Sequence, residues 1–157
     1  FINMTKNNPQ PAHTANVTIR RARPGESEAI ARFIRPFVED GKLLDRTYEE
    51  LEHWIDNLFI ADREDEIVGC AALEVYSRKL AEIRSLAVAP SVQGTGVGKQ
   101  LVNACVQLAH EKNILEVMVV TSSEDFFKAC GFDFTLPGEK KALFYQVDGR
   151  EGNLPSR

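Results

Sequence analysis

One segment restricts the possible folds more than any other: Gln93-Gly94-Thr95-Gly96-Val97-Gly98-Lys99. Before it lies an apolar run, residues 80–89, closed by Pro90. After it, Val97, Leu101, Cys105, Leu108 and Ala109 recur at helical spacing through residues 96–112. The pattern reads as strand, glycine-rich turn, helix. Glycine lets the backbone turn tightly and bring its N–H groups close to an anion. The N-terminus of the following helix adds a favourable dipole, so the segment can cradle a pyrophosphate. Two familiar phosphate loops do not fit. A Walker A loop ends in Gly-Lys-Ser/Thr, and here Lys99 is followed by Gln100. A dinucleotide fingerprint belongs to the first strand–helix unit of a parallel sheet, and this loop is mid-chain behind strands that read as antiparallel.

The rest of the chain supports a single domain of α/β (α+β) type. Residues 17–21 alternate as an edge strand, and Arg23-Pro24-Gly25 breaks it. A helix from Glu26 carries Ile30, Phe33, Ile34, Phe37 and Val38 on one face, and Pro36 is expected to kink or end it. Thr47 and Glu50 have capping-box spacing at the start of a second helix bearing Leu51, Trp54, Ile55 and Leu58. Strands follow at 59–61, 67–76 and 80–89, in an antiparallel order. Residues 115–120 form a nearly continuous apolar run that suits a central strand buried on both faces. Ser123 can cap a short helix ending at Gly131, and 132–135 with 143–147 are expected as a final strand pair. Residues 1–16 read as a flexible tail, 17–147 as the domain, and 148–157 as a second tail.

Composition excludes several functions. The 157 residues carry a net charge of -4 without a long Lys/Arg run, which argues against nucleic acid or an anionic membrane as partner. No apolar stretch approaches a membrane span, and residues 1–10 lack the apolar core of a signal peptide. Cys70, Cys105 and Cys130 are scattered in apolar stretches, a pattern expected of small buried hydrophobes in a reducing cytoplasm. His13, His53 and His110 are dispersed, so neither a metal centre nor a Ser-His-Asp arrangement is expected.

Leu86-Ala87-Val88-Ala89-Pro90 followed by Gln93-x-x-Gly96-x-Gly98 resembles the acetyl-CoA motif of GNAT acetyltransferases. Further on, Phe126-Phe127-Lys128-Ala129-Cys130-Gly131-Phe132 resembles that family's closing helix and Gly-Phe signature. The resemblance covers residues 17–147 in element order. It implies the GNAT fold: a mixed, mostly antiparallel central sheet flanked by helices. It implies acetyl-CoA as cofactor and CoA as product, with Gln93, Gly94, Thr95, Gly96, Val97, Gly98 and Lys99 around the pyrophosphate. It also implies that Leu86, Ala87 and Val88 line the pantetheine arm, with a backbone N–H for the oxyanion. Phe127 joins the cofactor-binding set, at a position where many members carry a Tyr able to donate a proton. A thiol leaving group, with an ordinary pKa of about 8.5, can depart without a dedicated acid.

A narrower similarity, to the catalytic domain of N-acetylglutamate synthases, rests on Ile34-Arg35-Pro36 and on Gly41-Lys42-Leu43-Leu44-Asp45-Arg46. Cys70-Ala71-Ala72-Leu73, Glu82-Ile83-Arg84-Ser85-Leu86-Ala87-Val88 and Glu124-x-Phe126-Phe127 add to it. Short forms of these enzymes are single domains; long forms add an arginine-sensing domain for which 157 residues leave no room. Some long forms carry an Arg where this chain has Thr121, Ser122 and Ser123. The resemblance implies amino-acid N-acetylation, of glutamate or a similar acidic amino acid, of the arginine-biosynthesis type. Glu82 is the candidate base. Arg35, Lys42, Arg46 and Arg84 are candidates for the acceptor's carboxylates, because a guanidinium fork can bond both oxygens. Thr121 and Ser122 are candidate hydrogen-bond donors to the substrate. The partner is then a small-molecule amine, and a homodimer stays open. Transfer to another small amine or a protein N-terminus is a competing expectation, as is an acetyl-CoA-binding sensor without turnover.

Overall fold

A computed structural model describes residues 16–135 and 138–147. The expected tails, apart from Asn16, lie outside the described residues. The chain divides after Ser122 into two compact units.

The first unit is a five-stranded sheet with helices on both faces. Its elements are β1 (Val17–Arg21), α1 (Ser27–Glu39), α2 (Tyr48–Trp54), β2 (Leu58–Arg63), β3 (Glu66–Val75), β4 (Leu80–Val88), α3 (Val97–Glu111) and β5 (Glu116–Met118). The strand order is β1-β2-β3-β4-β5. All neighbours are antiparallel except β4 and β5, which run parallel. Alternation along the strands divides the core. Leu58, Ile60, Cys70, Ala72 and Ala87 cluster with Ile30 and Ile34 of α1 and Leu51 and Trp54 of α2. On the opposite face α3 buries Val97, Leu101, Val102, Cys105, Leu108 and Ala109. Gly69 makes that approach possible: a Cβ there would come within 3.0 Å of Leu101 Cδ1 and 3.1 Å of Ala61 Cβ.

Sequence punctuation fixes the helix ends. Thr47 caps α2 in a complete capping box: its side chain accepts from Glu50 N at 3.2 Å, and Glu50 accepts from Thr47 N at 2.9 Å. Helix α1 continues past Pro36 to Glu39 rather than stopping there. Only one turn follows the proline, and a Schellman motif closes that turn. Lys42 N donates to Phe37 O at 2.8 Å and Gly41 N to Val38 O at 3.0 Å, with Gly41 at φ 71°. Arg20 ties the start of α1 to the sheet, bonding Glu26 at 2.7 Å and Asp62 at 2.9 Å.

The expected buried central strand at 115–120 is corrected. Strand β5 spans three residues and ends the sheet among the described residues, with Leu115 75% and Val120 61% exposed. An apolar run becomes a central, doubly buried strand only when strands flank its edges and other elements cover both its faces, and neither is encoded locally. The final strand pair expected at 132–135 and 143–147 is corrected too: neither segment has regular structure.

The second unit contains α4 (Glu124–Ala129). Ser123 occupies the N-cap position without a side-chain cap hydrogen bond. Gly131, at φ 92°, closes the helix as expected: Phe132 N donates to Phe127 O and Gly131 N to Lys128 O, both at 3.0 Å. Phe127 is buried, with its ring edge-on to Phe126 and Phe132.

Candidate active site

The glycine-rich loop takes the conformation its sequence requires. After β4, Pro90–Val92 make one 3-10 turn, and Gln93 Nε2 donates to Val88 O at 3.0 Å, fastening the loop to the end of the strand. The Thr95 hydroxyl donates to Val92 O. Gly94 and Gly96 have φ of 75° and 91°, where a side chain is strained, and the space around both is open. Gly96 is the N-cap of α3, and its carbonyl accepts the first helical bond, from Gln100 N at 3.0 Å. The N–H groups of Val97, Gly98 and Lys99 precede that bond and form the free end of a fifteen-residue helix. Gly98 lies within α3 with a helical backbone, so no turn there requires a glycine.

Strand β4 changes character along its length. It pairs with β5 at Leu80–Glu116, Ala81–Val117 and Glu82–Met118, and the ladder stops there. Beyond Glu82 the outer edge of β4, residues 83–88, faces no strand among the described residues. Its inner edge carries a bulge: Ala72 pairs with Arg84 but Cys70 with Ala87. Ser85 absorbs the extra residue at φ 54°, and its carbonyl accepts from Cys70 Sγ at 3.3 Å. The bulge inverts the alternation, so Glu82, Arg84 and Ala87 share the face covered by α1 and α2. Leu86 and Val88 point the other way.

On that face four polar side chains converge. Glu74 and Glu82 are directly opposed across β3 and β4. Arg84 Nη1 bonds Glu82 Oε1 at 2.8 Å and Glu74 Oε2 at 3.2 Å. The Tyr76 hydroxyl lies 3.0 Å from Glu82 Oε1 and 3.2 Å from both Glu74 Oε2 and Arg84 Nη1. The Glu82 side chain is 7% exposed and that of Glu74 27%. Burial draws Arg84 toward its neutral form, but the Tyr76 hydrogen bond and the charge of Glu82 outweigh it and raise its pKa. Burial and the hydrogen bond to Glu82 raise the Tyr76 pKa, which keeps the phenol protonated.

Facing this cluster is a pocket of about 350 Å³ lined by Arg46, Glu49, Glu50, His53, Trp54, Glu74 and Arg84. Arg46 stacks over Trp54 with 4.9 Å from guanidinium carbon to ring centre. Its Nε is buried without a hydrogen-bond partner. Burial lowers the Arg46 pKa, the charge of Arg84 adds to that, and Glu50, Glu74 and Glu82 oppose it. Among the described residues Arg84 makes its hydrogen bonds through Nη1, which leaves donor capacity at Nη2 and Nε.

Of the four candidate cations, the fold brings Arg46 and Arg84 to the pocket. Arg35, on α1, and Lys42, just beyond it, are exposed and do not line it. Thr121 and Ser122 are exposed in the segment that follows β5. Tyr76 and Glu74 were not among the candidates. Their signal was present: Glu74 and Tyr76 alternate at the end of an apolar strand, and a short hairpin brings them opposite Glu82.

The match to known proteins agrees with this geometry. The chain belongs to the acetyltransferase (GNAT) family, whose model matches residues 27–132. It is 36% identical over 118 residues to an uncharacterized N-acetyltransferase of Chlorobaculum tepidum, covering 75% of this chain and 76% of the relative. It is 33% identical over 149 residues to an amino-acid acetyltransferase of Neisseria meningitidis, covering 91% of this chain and 34% of that one. This chain therefore spans about a third of the Neisseria protein's length. The crystal structure of N-acetylglutamate synthase from Neisseria gonorrhoeae with coenzyme A and N-acetyl-glutamate superposes with a TM-score of 0.66 at 34% identity. That match covers 73% of this chain and 27% of that one.

Proposed function

We propose that this protein transfers the acetyl group of acetyl-CoA to the α-amine of an acidic amino acid, glutamate or a close analogue. The observation that carries the reading is the pair Arg46 and Arg84, two cations with donors left over, facing one pocket beside the buried Glu82. A free acidic amino acid brings two carboxylates and an ammonium. Arg46 and Arg84 suit the first, and Glu49 and Glu50 of the pocket wall suit the second.

The chain has a fitting place for acetyl-CoA. The loop amides at Gly94–Gly98 and the free end of α3 would hold the pyrophosphate, with Gly98 permitting close approach. The unpaired edge of β4 at Leu86, Ala87 and Val88 offers backbone donors and acceptors to an extended arm. When bound, acetyl-CoA supplies the electrophilic thioester. Glu82, where β4 parts from β5, takes the proton of the acceptor amine directly or through one water. A backbone N–H of the bulged strand stabilises the charge that develops on the carbonyl oxygen.

Glu49, Glu50 and Glu74 support a second reading, a basic acceptor such as lysine or a peptide amine. One experiment separates the two: kcat/KM measured by CoA release for glutamate, glutamine, lysine and a short peptide. The acidic reading expects glutamate to lead by at least about tenfold, the worth of one charge-assisted bond. A lead for lysine or the peptide overturns it.

A further inference from the structure

We propose that Tyr76 and Glu74 form a proton relay that empties Glu82 to solvent. The inference rests on the reading of Glu82 as base. A base that is 7% exposed needs an exit for each proton it accepts. The Tyr76 oxygen stands 3.0 Å from Glu82 Oε1 and 3.2 Å from Glu74 Oε2. Its single O–H therefore has two carboxylate acceptors at nearly equal range.

The proton count favours movement. Among Glu74, Tyr76, Glu82 and Arg84 there are five polar contacts. The phenol and the two Nη1 hydrogens supply only three protons. An extra proton arriving on Glu82 has contacts waiting for it. The step is balanced: the amine N–H breaks as Glu82 O–H forms. Glu82 then donates to the Tyr76 oxygen while the Tyr76 O–H passes to Glu74 Oε2. Glu74 is 27% exposed and releases the proton to water. Tyr76 is a neutral phenol before and after, in keeping with its raised pKa. The other charges facing the chain are Arg46, whose cation is felt by Glu74 and Glu82, and Glu50, with Glu49 and His53 completing the pocket wall.

The test uses Tyr76→Phe and Glu74→Gln, each checked for a wild-type circular dichroism spectrum. The acceptor is whichever amine the wild type acetylates best, so that failure of the glutamate reading leaves the relay tested. Rates are measured across pH at low and high concentrations of imidazole. The relay expects kcat to fall on the order of tenfold in both variants at low buffer, with KM for both substrates within about twofold. It expects imidazole to restore kcat in the variants and leave the wild type unchanged. An unchanged kcat in either folded variant overturns it. So does a loss that imidazole does not rescue, or a rise in KM for the acceptor that accounts for the loss. A wild type that acetylates no amine overturns both relay and function. If only one variant folds, that variant decides by the same criteria.

Discussion

At the scale of single residues, the two cations of the pocket, Arg46 and Arg84, differ in their surroundings. Among the described residues Arg46 makes no ion pair, and its buried Nε lacks a hydrogen-bond partner beside Trp54. Arg84 separates two opposed carboxylates as well as facing the pocket. Their variants should therefore differ in kind. Arg46→Met removes a carboxylate ligand alone, so KM for glutamate should rise about tenfold or more with kcat nearly constant. Arg84→Met should raise KM and also lower kcat, because Glu74 and Glu82 are left facing each other without a cation. Steady-state kinetics with glutamate varied at saturating acetyl-CoA checks both. Identical profiles for the two variants would mean that Arg84 has no role beyond binding. The shared face of Glu82 and Arg84 was legible in the sequence, since residues two apart on a strand point the same way. Nothing in the sequence placed Arg46 ahead of Arg35 or Lys42. Which of three nearby cations meets the sheet depends on how α1 and α2 dock, and no local pattern encodes that.

Among the elements, the loop between β4 and α3 was the most legible, because its requirements are local: a strand stop, glycines at positive φ, and an amphipathic helix. Thr47 and Glu50 were legible for the same reason. The bulge at Ser85 was not. Nothing about a serine announces φ 54°, yet that residue inverts the alternation of β4 and sets Ala87 beneath α1 and α2. Pro36 does not end α1, which runs one turn further to the stop set by Gly41. The loop yields a prediction at this scale. Gly94 and Gly96 are unsuitable for testing cofactor approach, because a side chain there strains the backbone itself. Gly98 sits in helical geometry within α3, so Gly98→Val should leave the thermal midpoint close to wild type. It should weaken CoA on the order of a hundredfold by keeping the pyrophosphate off the amides, as isothermal titration would show. A folded Gly98→Val protein with wild-type CoA affinity would remove this loop from the cofactor site.

On the scale of the whole molecule, the fold makes a site by leaving something undone. Strands β4 and β5 begin as a parallel pair and stop pairing at Glu82. From that point one edge of β4 is free for an extended ligand, while the bulge turns the other side of the strand toward the pocket under α2. The α3 terminus stands at the far end of the same strand. The glycine-rich loop, Glu82 and the pocket residue Arg84 thus all lie on or directly after β4, and in the proposed function that one strand carries donor thioester, base and acceptor. The alternation of Glu74 and Tyr76 was visible in the sequence, but only the hairpin register joins them to Glu82. The central claim is acetyl transfer to an acidic α-amine. It is tested most directly by one reaction containing isotopically labelled acetyl-CoA and all twenty amino acids, with products read by mass spectrometry. The account predicts label on the α-nitrogen of glutamate, one CoA released per acetyl transferred. Label confined to lysine or another non-acidic amine, or CoA released with no acetylated amine, would contradict it.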